Sequence, residues 1–213
     1  MEGQHDLPMD AFADRHFALD FSCVWRRIDM SELAIRPWTV AEFFTWQERQ
    51  DKRYELVGGF PLEMMTGASN RHDDIVVNIL VNLGEKLRGK PCRPFTADGS
   101  VETLPGQIRR PDIGVDCGER DPTGYRAAQP VVLIEVMSPS TRNFDRYRKI
   151  GEYQTLATVR HIVFVEPGRP MARLWSRETG WHEQAIEGLA ASVPLEAIGI
   201  MLEMAAIYDG IAF

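Results

Sequence analysis

Two acidic residues have the type and spacing to build a metal site. Glu135 interrupts the apolar segment 131–136, and Asp112 follows Pro111, 23 positions earlier in the chain. A carboxylate among apolar side chains is costly unless it has a cation, a proton or strong hydrogen-bond donors. Acidic residues on successive strands can converge on one point, where Mg²⁺ accepts their oxygens and keeps several waters. The pair therefore predicts a magnesium site.

Each of these residues also has a plain structural interpretation. Glu135 could pair with a buried arginine or lie at a capped edge, and Asp112 could belong to a turn. Lys149 comes on the helix after Glu135. Its simplest alternative role is a surface ion pair with Asp145, one helical turn earlier. The three residues predict a catalytic site only in combination.

The hydrophobic pattern predicts the elements that position these residues. A capping box at Thr39–Glu42 begins a short helix to about Gln50, and Gly58-Gly59 suits the turn of a hairpin over 54–64. Apolar residues at four-residue spacing predict a helix from His72 to Arg88. The later predicted elements are strands at 99–103, 108–116 and 130–136, a helix at 143–156, a strand at 161–165, a hairpin at 171–187 and a helix at 200–209.

This order of elements indicates a mixed α/β (α+β) fold in one domain, residues 31–213. Residues 1–30 lack regular periodicity and are predicted to be a poorly ordered N-terminal tail or extension, with Met30 as the alternative start. A chain of 213 residues can bury a core that needs no covalent staple.

Composition narrows the class of protein. The net charge of −7 argues against a general nucleic-acid coat, although it allows an enzyme with a local basic cleft. Cys23, Cys92 and Cys117 are far apart and form no C-x-x-C motif, so we expect unpaired thiols rather than zinc ligands or disulfides. The N-terminus has no signal segment, and no apolar run reaches the ~20 residues of a membrane helix. These features predict a cytoplasmic protein with no membrane association.

A longer string of residues resembles a known family. Pro111-Asp112 and Glu135-Val136-Met137-Ser138-Pro139-Ser140-Thr141, followed by Asp145, Lys149 and Tyr153, resemble the Uma-type family of the PD-(D/E)XK nuclease superfamily. The segments Arg53-Tyr54-Glu55-Leu56-Val57-Gly58-Gly59 and Ala206-Ile207-Tyr208-Asp209, and the helix opening at His72, match it too. The resemblance runs from about Thr39 to Tyr208.

The resemblance implies a restriction-endonuclease-like core, a mixed β-sheet flanked by helices. It implies a Mg²⁺-dependent (or Mn²⁺-dependent) endonuclease acting on DNA, with Asp112 and Glu135 as metal ligands. The superfamily places a lysine two residues after the glutamate, where this chain has Met137. By the same resemblance Lys149 takes that catalytic role.

The resemblance also places Glu55 and His72 in the catalytic site. Their alternatives are an edge-strand carboxylate and a histidine at a helix start. Nucleic-acid contacts are predicted for five basic residues, with a solvated helix face as the alternative for those on the helix. These residues are Arg109, Arg110, Arg142, Arg146 and Arg148.

Two other function classes stay open. Met137 and the acidic net charge favour a catalytically inactive nucleic-acid-binding or assembly module on the same fold. A metal-dependent hydrolase with a small substrate is the third class. A homodimer is expected, because cutting two strands suits two sites related by a two-fold axis. The sequence does not decide between DNA and RNA.

Overall fold

The architecture is that of a computed structural model, which describes residues 36–64, 69–138 and 143–213, with side chains in the last range from residue 147 onward. The predicted tail and the alternative start at Met30 lie outside the described residues, so the domain boundary stays a prediction. In the described part, no helix is long and apolar enough to cross a membrane.

The described chain has four α-helices and twelve β-strands. In chain order they are α1 (Val40–Gln47), β1 (Tyr54–Val57), β2 (Phe60–Glu63), α2 (Asn70–Lys86), β3 (Arg93–Thr96), β4 (Val101–Leu104), β5 (Gln107–Arg109), β6 (Ile113–Asp116), β7 (Pro130–Val136), α3 (Asn143–Thr155), β8 (His161–Glu166), β9 (Met171–Ser176), β10 (Glu183–Glu187), β11 (Ser192–Leu195), β12 (Ile200–Glu203) and α4 (Met204–Ile207).

The main sheet has the strand order β10-β9-β8-β7-β6-β3. Strands β7 and β8 are parallel, and the other neighbours are antiparallel. A parallel pair needs a crossover connection, and α3 supplies it between β7 and β8. The segments predicted at 130–136, 143–156 and 161–165 are therefore one β-α-β unit at the centre of the fold.

The side chains of β7 alternate between two cores. Ile134 and Val136 pack on the side of α2 and the C-terminal elements. Leu133 packs on the opposite side with Tyr153 of α3. Because successive side chains of a strand point to opposite faces, Glu135 belongs to the α3 side. The strand thus delivers one carboxylate into an otherwise apolar layer.

A second sheet has the order β2-β1-β5-β4. Phe43 of α1 is buried against Leu56 of β1 and Ile108 of β5. The predicted hairpin turn is confirmed, because Gly58 and Gly59 both have positive φ angles, 60° and 82°. Such angles suit a two-residue turn between antiparallel strands.

The first two helices begin at side-chain caps. The capping box is confirmed: the Glu42 N–H donates to Thr39 Oγ1 at 3.3 Å, and the Thr39 N–H donates to Glu42 Oε2 at 2.9 Å. Helix α2 begins two residues earlier than predicted, because Ser69 is its cap and accepts from the His72 N–H. His72 consequently lies in the first turn of the helix.

Two predicted elements are wrong. The strand expected at 108–116 is two strands, β5 in the second sheet and β6 in the main sheet. Pro111 cannot donate to a ladder, so the chain leaves one sheet there and enters the other. The helix expected at 200–209 begins as β12, which pairs with β11, and only Met204–Ile207 are helical.

The expectation of unpaired thiols is also wrong. Cys92 and Cys117 form a disulfide. Arg93 of β3 pairs with Asp116 of β6, so the cysteines are the next pair along the same ladder. Spacing in the sequence did not reveal this, because β3 joins β6 across a hairpin of the other sheet. Cys23 lies outside the described residues.

Candidate active site

Asp112 and Glu135 lie side by side where β6 begins. The pairing of Ile113 with Ile134 places Asp112, one residue before β6, opposite Glu135 in β7. The Val136 N–H donates a 2.8 Å hydrogen bond to Asp112 Oδ2 and fixes that side chain at the end of the sheet. The change of sheet after Arg109 therefore brings Asp112 next to Glu135.

Glu135 is nearly buried, with 8% of the residue exposed. Lys149 Nζ lies 3.1 Å from its Oε1, and the Tyr153 hydroxyl donates to the same oxygen at 2.7 Å. Burial raises the pKa of Glu135 to about 7 against the opposing charge of Lys149, and the charges of Asp112 and Glu55 add to the rise. The carboxylate thus has the cation that its apolar strand demands.

Lys149 lies inside the fold and joins the two sheets. Its Nζ is 3.1 Å from Glu135 Oε1 and 3.5 Å from Glu55 Oε1, and the residue is 8% exposed. Glu55 comes from β1 of the second sheet, whereas Glu135 comes from the main sheet. The side chain of Asp145, the alternative partner, lies outside the described residues. Contact with both buried carboxylates nevertheless excludes a solvated position for Lys149.

Arg109 lies behind Glu55 and is only 1% exposed. Its Nη1 donates to Glu55 Oε2, and its Nε and Nη2 donate to the two oxygens of Glu152, each at 2.7 Å. Burial lowers the pKa of Arg109, but Glu152 and Glu55 outweigh it and raise that pKa above its ordinary value. Burial likewise opposes the charge of Glu152, and Arg109 lowers the pKa of that carboxyl.

The predicted phosphate contacts of Arg109 and Arg110 are therefore wrong. Arg110 is 5% exposed, and its guanidinium donates to the carbonyl oxygens of Tyr54 at 3.0 Å and Asp98 at 2.5 Å. Its backbone N–H donates to Glu55 Oε1 at 3.0 Å. Both guanidinium groups are buried and hydrogen-bonded at the β5–β6 junction, so neither is accessible to a phosphate.

The helix arginines have different positions. The Arg148 side chain is 45% exposed and forms a 3.1 Å ion pair with Glu152, four residues later. It can meet a solvent-side ligand, because exposed pairs of this kind are weak. Arg142 and the side chain of Arg146 lie outside the described residues, so their predicted contacts stay predictions.

His72 reaches the same end of the sheet from α2. Its Nε2 lies 3.1 Å from the Val136 carbonyl oxygen and 3.5 Å from Asp112 Oδ2. A carbonyl can only accept, so Nε2 carries a hydrogen. The hydrogen bond to Asp112 raises the pKa of His72, and burial opposes that rise. His72 thus orients Asp112 together with the Val136 N–H.

The donor set of the two carboxylates suits a hard divalent cation. Asp112 uses Oδ2 and Glu135 uses Oε1 for the hydrogen bonds above. Among the described residues, Asp112 Oδ1 and Glu135 Oε2 have no hydrogen-bond partner. Nowhere in the described ranges do three or more His, Cys, Asp or Glu side chains group as metal ligands. A cation here would therefore take two carboxylate oxygens and keep several waters, as Mg²⁺ commonly does.

Tyr153 and Glu152 also contribute to this site, although neither was predicted as a site residue from the sequence. Both lie on the face of α3 that carries Lys149, at spacings of three and four residues. Such spacing places side chains on one helix face, so the signal was present. The inward role of Arg109 had no comparable signal, because an arginine beside a metal-binding aspartate is equally suited to phosphate.

Comparisons with known proteins bear on the family and the fold of this chain. The Uma2 family, described as "Putative restriction endonuclease", matches residues 40–206. Two curated relatives come from Synechocystis sp. (strain PCC 6803). Uncharacterized protein slr1290 is 26% identical over 81% of this chain and 92% of its own length. Uncharacterized protein sll1609 is 23% identical over 60% of this chain and 74% of its own length.

A solved structure shares the fold. The crystal structure titled as a putative nuclease belonging to DUF820, from Anabaena variabilis, has a TM-score of 0.65. The match covers 80% of this chain and 97% of that one. At 15% identity it supports a shared fold and nothing about function. The mixed α+β fold predicted from the sequence is thereby confirmed. Since the family match spans most of the described chain, this protein belongs to the Uma2 family, whose description is "Putative restriction endonuclease".

Proposed function

We propose that the protein is a Mg²⁺-dependent endonuclease that hydrolyses phosphodiester bonds in DNA, with Mn²⁺ as an alternative metal. One observation carries the proposal: the buried Glu135 carboxylate lies beside Asp112 and has Lys149 Nζ at 3.1 Å. Family membership supports nuclease activity in general and hence a nucleic-acid substrate. The metal and the choice of DNA are the finer part of the proposal.

Each residue of the site has a distinct role in this reaction. Asp112 and Glu135 would hold the metal through their free oxygens. A bound Mg²⁺ polarises a phosphodiester oxygen and lowers the pKa of water. The Lys149 ammonium neutralises charge that develops on the phosphate in the transition state. Glu55 holds Lys149 in place, and His72 orients Asp112.

The inactive module on the same fold is the second candidate. Its support is Met137, which is buried in the α3-side core and cannot replace a catalytic lysine. The net charge of −7 favours it as well. Lys149 favours catalysis, because it brings an ammonium to Glu135 from the following helix. The cytoplasmic location and the homodimer stay predictions from the sequence.

A plasmid-nicking assay tests the proposed function. Wild-type protein is incubated with supercoiled DNA in Mg²⁺, in Mn²⁺ and in EDTA, beside a titration of metal binding. We expect nicking with either metal, none in EDTA, and none by Asp112→Ala or Glu135→Ala. Glu187→Ala is the matched control, because that carboxylate is exposed on β10. Metal binding without nicking by wild type would favour the inactive module.

A further inference from the structure

A groove of about 640 Å³ runs along β3, the outer strand of the main sheet. The opposite wall is the loop 118–127. Its volume falls in the range of ligand-binding clefts. We call it the β3 groove. Since Pro94 of β3 has no N–H, the open edge of the strand is poorly suited to adding a peptide strand.

Unpaired positive charge lies along this groove. Arg93 and Arg120 line it, both are exposed, and neither has a hydrogen-bond or ion-pair partner in the part of the chain that the structure describes. Arg88 and Lys90, just before Pro91 at one end of the groove, are exposed in the same way. In a protein with a net charge of −7, two lining arginines without a partner among the described residues mark a place where an anionic group can bind.

Most of the carboxylates in the groove are already engaged. Asp98 pairs with Arg53 at 2.7 Å. Asp116 accepts hydrogen bonds from the backbone N–H groups of Gly118, Ala128 and Gln129, and Asp121 accepts from Thr123. Glu119 alone of the four lining carboxylates has no partner among the described residues. Hydrogen bonds from neutral N–H groups leave the charge of Asp116 and Asp121 in place, so the groove is not positive as a whole. The cations that a phosphate can meet are the two arginines that are unpaired in the described ranges, Arg93 on β3 and Arg120 on the opposite wall.

An aromatic ring completes the wall. Tyr125 lines the groove and is 46% exposed. One face of its ring stacks on Phe44 of α1, with centroids 4.9 Å apart and planes at 17°. Its hydroxyl donates to Glu48. A ring held this way offers its other face for stacking, which is how proteins bind nucleobases without reading their sequence.

The groove begins beside the candidate active site. Thr96, at the end of β3, pairs with Ile113, the residue after Asp112. Arg110, whose backbone N–H donates to Glu55, donates from its side chain to the carbonyl oxygen of Asp98 in the groove wall. A strand of nucleic acid at Asp112 can therefore continue directly along β3.

We propose that the β3 groove binds the DNA strand that flanks the scissile phosphate, in single-stranded form. Its phosphates meet Arg93 and Arg120, and one base stacks on Tyr125. The proposal rests on the proposed endonuclease function and deepens it, because it replaces the buried Arg109 and Arg110 with residues that a phosphate can reach. A phosphate-free peptide is the poorer occupant, since the groove has free cations and an edge proline.

Binding in EDTA tests the groove separately from cleavage. The full chain is titrated into a fluorescein-labelled single-stranded DNA oligonucleotide, and fluorescence anisotropy is followed at several salt concentrations. For Arg93→Glu and Arg120→Glu we expect affinity to fall at least about fivefold near 0.1 M salt, with the salt slope reduced by roughly 0.7 for each lost phosphate contact. Arg169→Glu is the matched control, because Arg169 is exposed in the β8–β9 turn.

Tyrosine variants test the stacking. Tyr125→Leu should weaken binding by roughly fivefold or more. Tyr125→Phe should bind as the wild type does, since it keeps the ring and loses only the contact with Glu48. The groove proposal is overturned if Arg93→Glu and Arg120→Glu bind as tightly as wild type, or if Arg169→Glu weakens binding equally. If the wild type nicks plasmid while either of these binding results is found, the groove proposal fails and the proposed endonuclease function is still supported.

Discussion

The Lys149 ammonium reaches Glu135 from a helix, not from the strand that carries the glutamate. Two residues beyond Glu135, where a strand-borne lysine would stand, the Met137 side chain is buried among the apolar residues of the α3 side. A lysine there would have to share that apolar layer with Glu135. Placing the cation on α3 lets its stem pack along the helix while Nζ meets Glu135 and Glu55.

Lys149→Met separates cleavage from binding. The substitution keeps the packing of the stem and deletes the charge, so we expect single-turnover cleavage to slow by about 10² to 10³, the usual loss for one electrostatic stabiliser. DNA affinity in Ca²⁺, which holds the metal site without chemistry, should change far less. Cleavage at the wild-type rate would show that Lys149 is structural, and another cation would have to serve the reaction.

Arg109 and Arg148 offer a matched pair of tests, since both bind Glu152. Of the described cations, Arg109→Met leaves buried Glu55 with only Lys149 at 3.5 Å and buried Glu152 with only the partly exposed Arg148, and we expect about 3–5 kcal/mol less unfolding free energy. Arg148→Met removes an exposed partner and should cost less than about 1 kcal/mol. Urea denaturation monitored by circular dichroism measures both. Equal losses would contradict the burial of Arg109.

At the scale of elements, strands made of long apolar runs could be predicted from the sequence, but the point at which the chain passes from one sheet to the other could not. The segments 131–136 and 161–165 are so apolar that a covered strand is their natural state, and both are strands. The segment 108–116 was also predicted as one strand, yet it belongs to two sheets, because Pro111 interrupts the ladder. Periodicity reports which residues are buried, and it does not report against which sheet. For this reason Asp112 was predicted as a site residue while Arg109 was misplaced.

The contact between β3 and β6 can be tested with alanine substitutions of glycine. A Cβ at Gly114 of β6 would lie 2.0 Å from Phe95 Cζ, so Gly114→Ala must displace a buried ring. We expect about 1–3 kcal/mol less unfolding free energy. Gly151→Ala in α3 is the control: nothing lies within 4 Å of its Cβ, and alanine should stabilise the helix by up to about 1 kcal/mol. A neutral Gly114→Ala would mean that β3 is loosely packed on β6.

At the scale of the whole molecule, a buried histidine links the C-terminal hairpin to the main sheet. The Ala197 N–H donates to His161 Nε2 at 3.1 Å, so Nδ1 carries the hydrogen that it donates to Ser176 Oγ at 2.9 Å. Protonation of Nε2 would abolish the first bond. Burial lowers the pKa of His161 from its ordinary 6.5, so the folded state favours the neutral ring.

This linkage predicts how stability depends on pH. Below pH 6.5 His161 takes up a proton more readily in the unfolded chain than in the folded protein. Its contribution to the unfolding free energy is therefore complete above pH 6.5 and is lost as the pH falls toward the lowered pKa. We expect this loss between about pH 7 and pH 5, and the raised pKa values of Glu135 and His72 act in the opposite direction over the same range. His161→Gln should therefore lose less stability than wild type between these pH values, and exposed His182→Gln should lose as much as wild type. A wild-type slope in His161→Gln would assign the drop to other groups.

The Cys92–Cys117 disulfide ties the outer strand of the main sheet to β6, and with it the β3 groove to the strand that Asp112 begins. It closes a loop across a sequence separation of 25, for which chain entropy gives a stabilisation of about 3 kcal/mol. We therefore expect reductant, or Cys92→Ser with Cys117→Ser, to lower the unfolding free energy by that amount. Cys23→Ser should keep the response to reductant. Alkylation of both thiols in protein taken from cells without added reductant would show that the bond is absent there, since cytosol keeps thiols reduced. In that case reductant should leave the unfolding free energy unchanged, which would contradict the prediction.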